Sequence, residues 1–227
     1  MTNYPEPAAF PPGASLTDGV WTQVLSPRQA TQGRPALFLD RDGVLVEEAH
    51  YLHKVENVQL TPNAAQVVKA ANANNIPVIL VTNQAGVGYG YFKWDDFVLV
   101  QAQILSDLAQ GGAHIDGVFA CPFHAKGQSV YAHKDHPARK PNPGMLHLAQ
   151  SLMGIDLQSS WIVGDRSLDV LAGKNAGLQG GVHVLTGHGS KEGEREAALN
   201  VGTPSFPLKG VQNLFEAMDV LGFLKKP

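Results

Sequence analysis

The sequence predicts an α/β fold of three layers, a parallel sheet covered on both faces by helices. Three observations carry that expectation. Short runs of continuous apolar residues recur along the chain, as strands buried on both faces do. Between them lie longer stretches with helical spacing, of the length a crossover between parallel strands needs. The runs also end in polar residues, as strands of such a sheet do where ligands bind beyond their carboxyl ends.

Taken in order, residues 1–34 are rich in Pro, Gly, Ser and Thr and show no sustained period. They are expected as an extended arm with a short element near 20–25; it crosses the sheet edge, pairs with a second subunit or stays disordered. Residues 35–227 are expected as one domain. Ala36-Leu37-Phe38-Leu39 reads as the first strand of the alternation, followed by a helix near 62–75 with Pro62 suited to its first turn. Val78-Ile79-Leu80-Val81 then precedes a helix near 93–110, and Gly117-Val118-Phe119-Ala120 precedes a polar loop and a helix near 143–153. Trp161-Ile162-Val163 leads to a helix near 168–176, and Val182-His183-Val184-Leu185 closes the series. A short amphipathic stretch at 211–224 reads as a docking helix.

A chain of 227 residues with 44% hydrophobic and 16% charged residues can bury a real core. Its net charge of -3 recruits neither nucleic acid nor anionic membrane, so affinity for phosphate has to come from a local site. No apolar run reaches the roughly 18 to 20 residues that span a bilayer. Residues 1–13 lack the pattern of a signal peptide. The single cysteine, Cys121, excludes an intramolecular disulfide and suits a reducing compartment, so a cytoplasmic location is expected.

The strand ends carry the chemistry. In Leu39-Asp40-Arg41-Asp42-Gly43 one carboxylate can attack phosphorus and a second, two residues later, can serve as acid and then base. Gly43 allows a sharp turn and close approach. Taken alone, this pattern is as consistent with an ordinary Asp-rich turn. Thr82, Asn83 and Gln84 end the second run and offer a hydroxyl and amides, although Thr and Asn are also good helix caps. Asp165 follows the fourth run, with Asp169 one helical turn on, where a cap or surface acid is an equal reading. Arg139-Lys140 supplies adjacent cations, lysine for the nucleophile and phosphoryl group and arginine's fork for a second anion. Carboxylates in this number suit Mg²⁺, a hard cation that prefers oxygen ligands.

Together these segments resemble the four motifs of the haloacid-dehalogenase-like phosphatases, over about residues 36–190. Within that family the chain resembles most the heptose 1,7-bisphosphate phosphatases, with the histidinol-phosphate phosphatases next. Gly88-Tyr89-Gly90-Tyr91-Phe92 and Lys140-Pro141-Asn142-Pro143-Gly144-Met145-Leu146 support the narrower match. The resemblance implies a Rossmann-like fold without a large cap domain, since 43–61 and 121–138 are short. It also implies a Mg²⁺-dependent phosphomonoesterase working through an aspartyl-phosphate on a small phosphorylated sugar. Histidinol phosphate, or a broader range of sugar phosphates and nucleotides, is the alternative; a non-catalytic phosphate-binding module is opposed by the intact motif set.

By the same resemblance Asp40 is nucleophile and magnesium ligand, Asp42 acid/base and ligand through its carbonyl, and Asp165 the remaining protein ligand. Thr82 and Lys140 stabilise the phosphoryl group. Glu48, His50, Tyr51, Asn83, Gln84, Arg139 and Arg166 face substrate, Arg166 standing where relatives often have lysine. Relatives bind Zn²⁺ in the loop before Arg139; two of those four positions are Phe123 and Ala138 here, beside Cys121 and His136. His124 and His133 could complete a shifted site, yet a polar surface loop is the preferred reading. The expected partner is a small phosphorylated metabolite, with no nucleic acid or membrane, and the protein is expected to be a monomer or small homo-oligomer.

Overall fold

The computed structural model describes residues 3–222. Strands β1 (Ala14–Thr17), β2 (Val20–Val24), β3 (Pro35–Leu39), β4 (Val78–Asn83), β5 (Gly117–Cys121), β6 (Asp156–Gly164), β7 (Gly180–His183) and β8 (Leu208–Gly210) form one sheet. Helices alternate with them: α1 (Arg28–Thr31), α2 (Ala64–Ala73), α3 (Ala85–Gly88), α4 (Trp94–Gln110), α5 (Gly144–Met153), α6 (Ser167–Asn175), α7 (Glu194–Leu199) and α8 (Leu214–Val220).

The sheet order is β1-β2-β5-β4-β3-β6-β7-β8, parallel from β5 to β8. The chain enters at β3, winds outward through β4 and β5, then returns across β3 to β6. That reversal opens a crevice at the carboxyl end of β3. All five residues of β5 and the first five of β4 are buried, which requires cover on both faces.

The helices follow from their patterns. α4 buries Trp94, Phe97, Val100, Ile104 and Leu108, three or four apart, and Lys93 N–H donates to Asp96 at 2.8 Å to start it. α5 buries Met145, Leu146, Ala149 and Met153 and stops at Gly154, φ +72°.

Several elements differ from expectation. Residues 14–24 fold as a hairpin whose second strand pairs antiparallel with β5. The sequence signal was weak because two short strands give little period, whereas Trp21 is fully buried against Trp94 (5.5 Å) and Phe97 (5.4 Å). β6 starts five residues before Trp161, β7 ends at His183, and β8 adds an edge that three residues do not announce. The helix expected at 211–224 runs over Leu214–Val220, with Asn213 accepting from Glu216 N–H; 223–224 lie outside the described residues. Among the described residues no helix is long and apolar enough to cross a membrane.

Candidate active site

Asp40 follows β3, and its N–H donates to Val163 O of β6 at 3.0 Å. The register pairs Leu39 with both Leu80 and Val163, so Thr82 and Asp165 flank the same crevice. Lys140 enters from the loop before α5. Its Nζ donates to Asp40 Oδ1 (2.8 Å) and Val81 O (2.7 Å) and lies 2.7 Å from Asp169 Oδ1. Asn83 fixes that loop by exchanging two hydrogen bonds with the Lys140 backbone, both at 3.1 Å. The side chain expected to face substrate therefore has its amide engaged by the main chain, although it still borders the cavity.

Asp42 accepts from Nε and Nη2 of Arg41 (3.1 and 3.0 Å) and from Gln84 Nε2 (3.1 Å). The same Gln84 nitrogen donates to Thr82 Oγ1 at 2.8 Å. Arg41 is buried with its guanidinium 5.6 Å from the centre of the Phe97 ring, a cation–π contact that lets its fork hold Asp42 from beneath.

Asp165 lies just past β6, where His188 N–H donates to its Oδ2 at 2.6 Å and its buried Oδ1 has no hydrogen-bond partner. Gly43 (φ +82°) and Gly187 (φ +55°) close over that carboxylate. A Cβ on either would fall on Asp165 Oδ2, so glycine is required for steric and conformational reasons alike. Asp169, fully buried, accepts Arg166 N–H at 2.9 Å as a cap and also pairs with Lys140. The cap reading holds, and full burial rules out a surface acid.

Burial and crowding set the electrostatics. Burial raises Asp40 to about 7 despite Lys140, with Asp169 and Asp42 adding to the rise. Burial, then Asp40 and Asp169, push Asp165 to about 9. Burial alone would lower Lys140, but Asp169 and Asp40 outweigh it and hold the ammonium above its ordinary value. Oxygens of Asp40, Asp165 and Asp169 lie within 4.8 Å of one another, all buried. Three buried carboxylates against one lysine, with a partnerless Asp165 oxygen among them, have the chemistry that suits a hard divalent cation.

A cavity of about 390 Å³ opens from these groups, and every residue expected to act on phosphate, substrate or magnesium lines it. Its outer wall holds Glu48, His50, Tyr51, Arg139 and Arg166. His50 and Tyr51 both take positive φ (+48° and +62°), and Tyr51 sits edge-on to Tyr89 (6.1 Å) and Tyr91 (5.1 Å). Burial first, and Arg166 nearby, lower the Arg139 guanidinium from its ordinary value. His188 was not anticipated. It faces Glu48 at 3.4 Å across the cavity, and a Gly-His-Gly turn after the last predicted strand gave no motif to find it by.

The loop with zinc-ligand positions is organised by rings. Phe123 stacks on His136 (3.7 Å, interplanar angle 5°), and His133 meets both edge-on. Nδ1 of His124 accepts Lys126 N–H and Nδ1 of His136 accepts Ala138 N–H. Among the described residues, Cys121, His124, His133 and His136 do not bring three ligand atoms within 4.8 Å of one another, and His124 lines the cavity instead.

Comparison with known proteins agrees with this geometry. The sequence profile of the HAD-hydrolase-like family matches residues 137–208. A D-glycero-beta-D-manno-heptose-1,7-bisphosphate 7-phosphatase of Mesorhizobium japonicum is 38% identical over 97% of this chain and 96% of its own. An alpha-anomer 7-phosphatase of Photorhabdus laumondii is 37% identical over 72% of this chain and 89% of its own. The crystal structure of a HAD-like phosphatase from Mesorhizobium loti superposes with a TM-score of 0.81 at 36% identity, covering 94% of this chain and 96% of that one. A D,D-heptose 1,7-bisphosphate phosphatase from B. bronchiseptica, complexed with magnesium and phosphate, gives 0.69 at 26% identity, covering 83% and 98%. The chain has an aspartate at the crevice of a parallel sheet and is 38% identical over 97% of its length to a phosphatase, so it belongs to the haloacid-dehalogenase-like phosphatases, a family of phosphoric monoester hydrolases.

Proposed function

We propose that the protein removes the 7-phosphate from a D-glycero-D-manno-heptose 1,7-bisphosphate. The observation that carries this reading is the division of positive charge in one cavity. Lys140 stands at its floor beside Asp40, and Arg139 and Arg166 stand together on its wall. A substrate with two phosphoryl groups fills both places, and the activity of the Mesorhizobium japonicum relative supports the choice of sugar.

In this mechanism a carboxylate oxygen of Asp40 attacks phosphorus, and the bond from phosphorus to the leaving alkoxide breaks. Asp42 gives that alkoxide its proton. Asp42 then takes a proton from water as the water oxygen attacks the aspartyl-phosphate, releasing inorganic phosphate and restoring both carboxyl groups. Lys140 Nζ and the Thr82 hydroxyl balance charge on the phosphoryl oxygens. In its ionised form Asp42 is held by Gln84 and Arg41. Asp40, the Asp42 carbonyl and Asp165 would hold Mg²⁺, which when bound offsets the negative charge of carboxylates and phosphoryl group. Asp169 stays with Lys140 and keeps the ammonium aimed at Asp40.

The test is a comparison of kcat/KM for both heptose bisphosphate anomers, histidinol phosphate and fructose 1,6-bisphosphate. One heptose bisphosphate should lead histidinol phosphate by about 100-fold or more, since a single phosphoryl group leaves a charged group of a built site unpaired at a cost of several kcal/mol, and should lead fructose 1,6-bisphosphate, which carries two, by about tenfold or more. A spread of only a few-fold would mark a generalist and refute the assignment.

A further inference from the structure

Residues 3–8 reach across the molecule to the loop that carries Arg139. The Tyr4 ring lies edge-on to Phe123 (5.9 Å) and stacks on Tyr131 (6.0 Å). Its other neighbour is Gly19 in the β1–β2 turn (φ +78°), where a Cβ would come within 2.7 Å of the Tyr4 ring and 3.0 Å of Phe123. Two hydrogen bonds fasten the segment: Tyr131 Oη donates to Pro5 O at 3.3 Å, and Ala8 N–H donates to Asp95 Oδ1 at 2.7 Å. Tyr131 Oη in turn accepts from Trp94 Nε1 at 3.0 Å.

Phe123 is the pivot of this arrangement. It is nearly fully buried, and its carbonyl accepts from Arg139 Nη1 at 2.9 Å. The loop around it has little regular structure, one 3-10 turn at Ser129–Tyr131 and a bridge between His124 and Ala132, so ring packing sets its shape. Lys140 is held otherwise, by Asp40, Asp169, Val81 O and the two bonds to Asn83. Lys140 and Arg139 thus have separate supports.

We infer that Tyr4 is a positioning residue: the N-terminal segment, through Phe123, sets the place of the Arg139 guanidinium and hence the affinity for the substrate's second phosphoryl group. The inference rests on Arg139 gripping that group, as read above. Arginine's planar fork binds phosphate directionally, so a shift of its anchor weakens the grip while the chemistry at Asp40 continues.

The test uses the full chain with Tyr4→Ala and Tyr4→Phe. Tyr4→Ala should raise KM for a heptose bisphosphate about tenfold and leave kcat on 4-nitrophenyl phosphate within about twofold. Tyr4→Phe, which keeps the ring, should restore KM. Amide exchange at His133 and Arg139, which donate to His124 O and His136 O, should quicken by about tenfold in Tyr4→Ala while β3 and β4 keep their protection. Added to Arg139→Ala, Tyr4→Ala should bring no further rise in KM. Unchanged loop exchange in folded Tyr4→Ala, an equal fall in kcat on both substrates, or additive effects in the double variant would overturn the inference. If the wild type shows no preference for the bisphosphate over a matching monophosphate, the substrate reading fails, and the exchange result still decides whether Tyr4 holds the loop.

Discussion

Asp40 combines two demands that pull apart. As the proposed nucleophile it needs to be ionised, yet burial raises it to about 7 and only Lys140 opposes the rise strongly. Asp40→Asn should lower kcat by about four orders of magnitude or more, as loss of a covalent nucleophile does, measured on 4-nitrophenyl phosphate with Mg²⁺ present. The fold should survive, because the amide oxygen can still accept from Lys140 and one buried charge is gone. Cys121 is the opposite case. Burial pushes its thiol up to about 12, so it is a poor nucleophile as folded. Native protein should resist alkylation at about pH 8 and react once unfolded; rapid labelling of native protein, read by mass, would contradict this burial.

At the scale of elements, the turns matter more than the strands they join. The Asp40-to-Gly43 turn and the Gly187 turn meet over Asp165, and neither Gly43 nor Gly187 has room for a Cβ. Gly43→Ala should cost about 1–3 kcal/mol of stability and weaken the stabilisation by Mg²⁺, both measurable by thermal unfolding. The β1–β2 hairpin contributes differently. Trp21 fills the space between Phe10 (5.9 Å), Trp94 and Phe97, and Phe97 is the ring on which Arg41 rests. Trp21→Ala should cost about 3–5 kcal/mol in denaturant unfolding. Trp21→Phe should cost much less, since the buried Trp21 Nε1 has no hydrogen-bond partner to lose.

At the scale of the whole molecule, three carboxylates meet only because the ends of β3 and β6 and the start of α6 converge. The raised values carry a definite sign. Between the unfolded carboxyl value of 3.8 and the folded values of about 7 for Asp40 and about 9 for Asp165, the native state binds more protons than the unfolded chain. Without metal, stability should therefore fall as pH rises through that window. Mg²⁺ needs the ionised carboxylates, so the rise in Tm it produces should grow from about pH 5 to about pH 9. A metal-induced shift that is flat with pH would show that these carboxylates do not hold the ion.

The local pattern of the sequence was enough to gather the proposed catalytic residues at one edge of the sheet. Asp40, Asp42, Thr82, Lys140 and Asp165 were legible because each stands at or near the end of an apolar run or before a helix, and local pattern fixes where such runs stop. The helices at 94–110 and 144–153 were legible for the same reason, with boundaries off by a single residue. Only the tertiary structure decided the rest. Asn83 turned to the Lys140 backbone, Asp169 paired with Lys140 while capping α6, and His188 reached the cavity from a turn without a motif. The hairpin at 14–24 and the ring packing of Tyr4, Phe123 and His136 likewise left no periodic trace. Most of these depend on contacts between residues far apart in the chain, such as Asn83 with Lys140 and Tyr4 with Phe123, and such contacts are selected by the space left after the sheet and helices have packed, which no local pattern encodes.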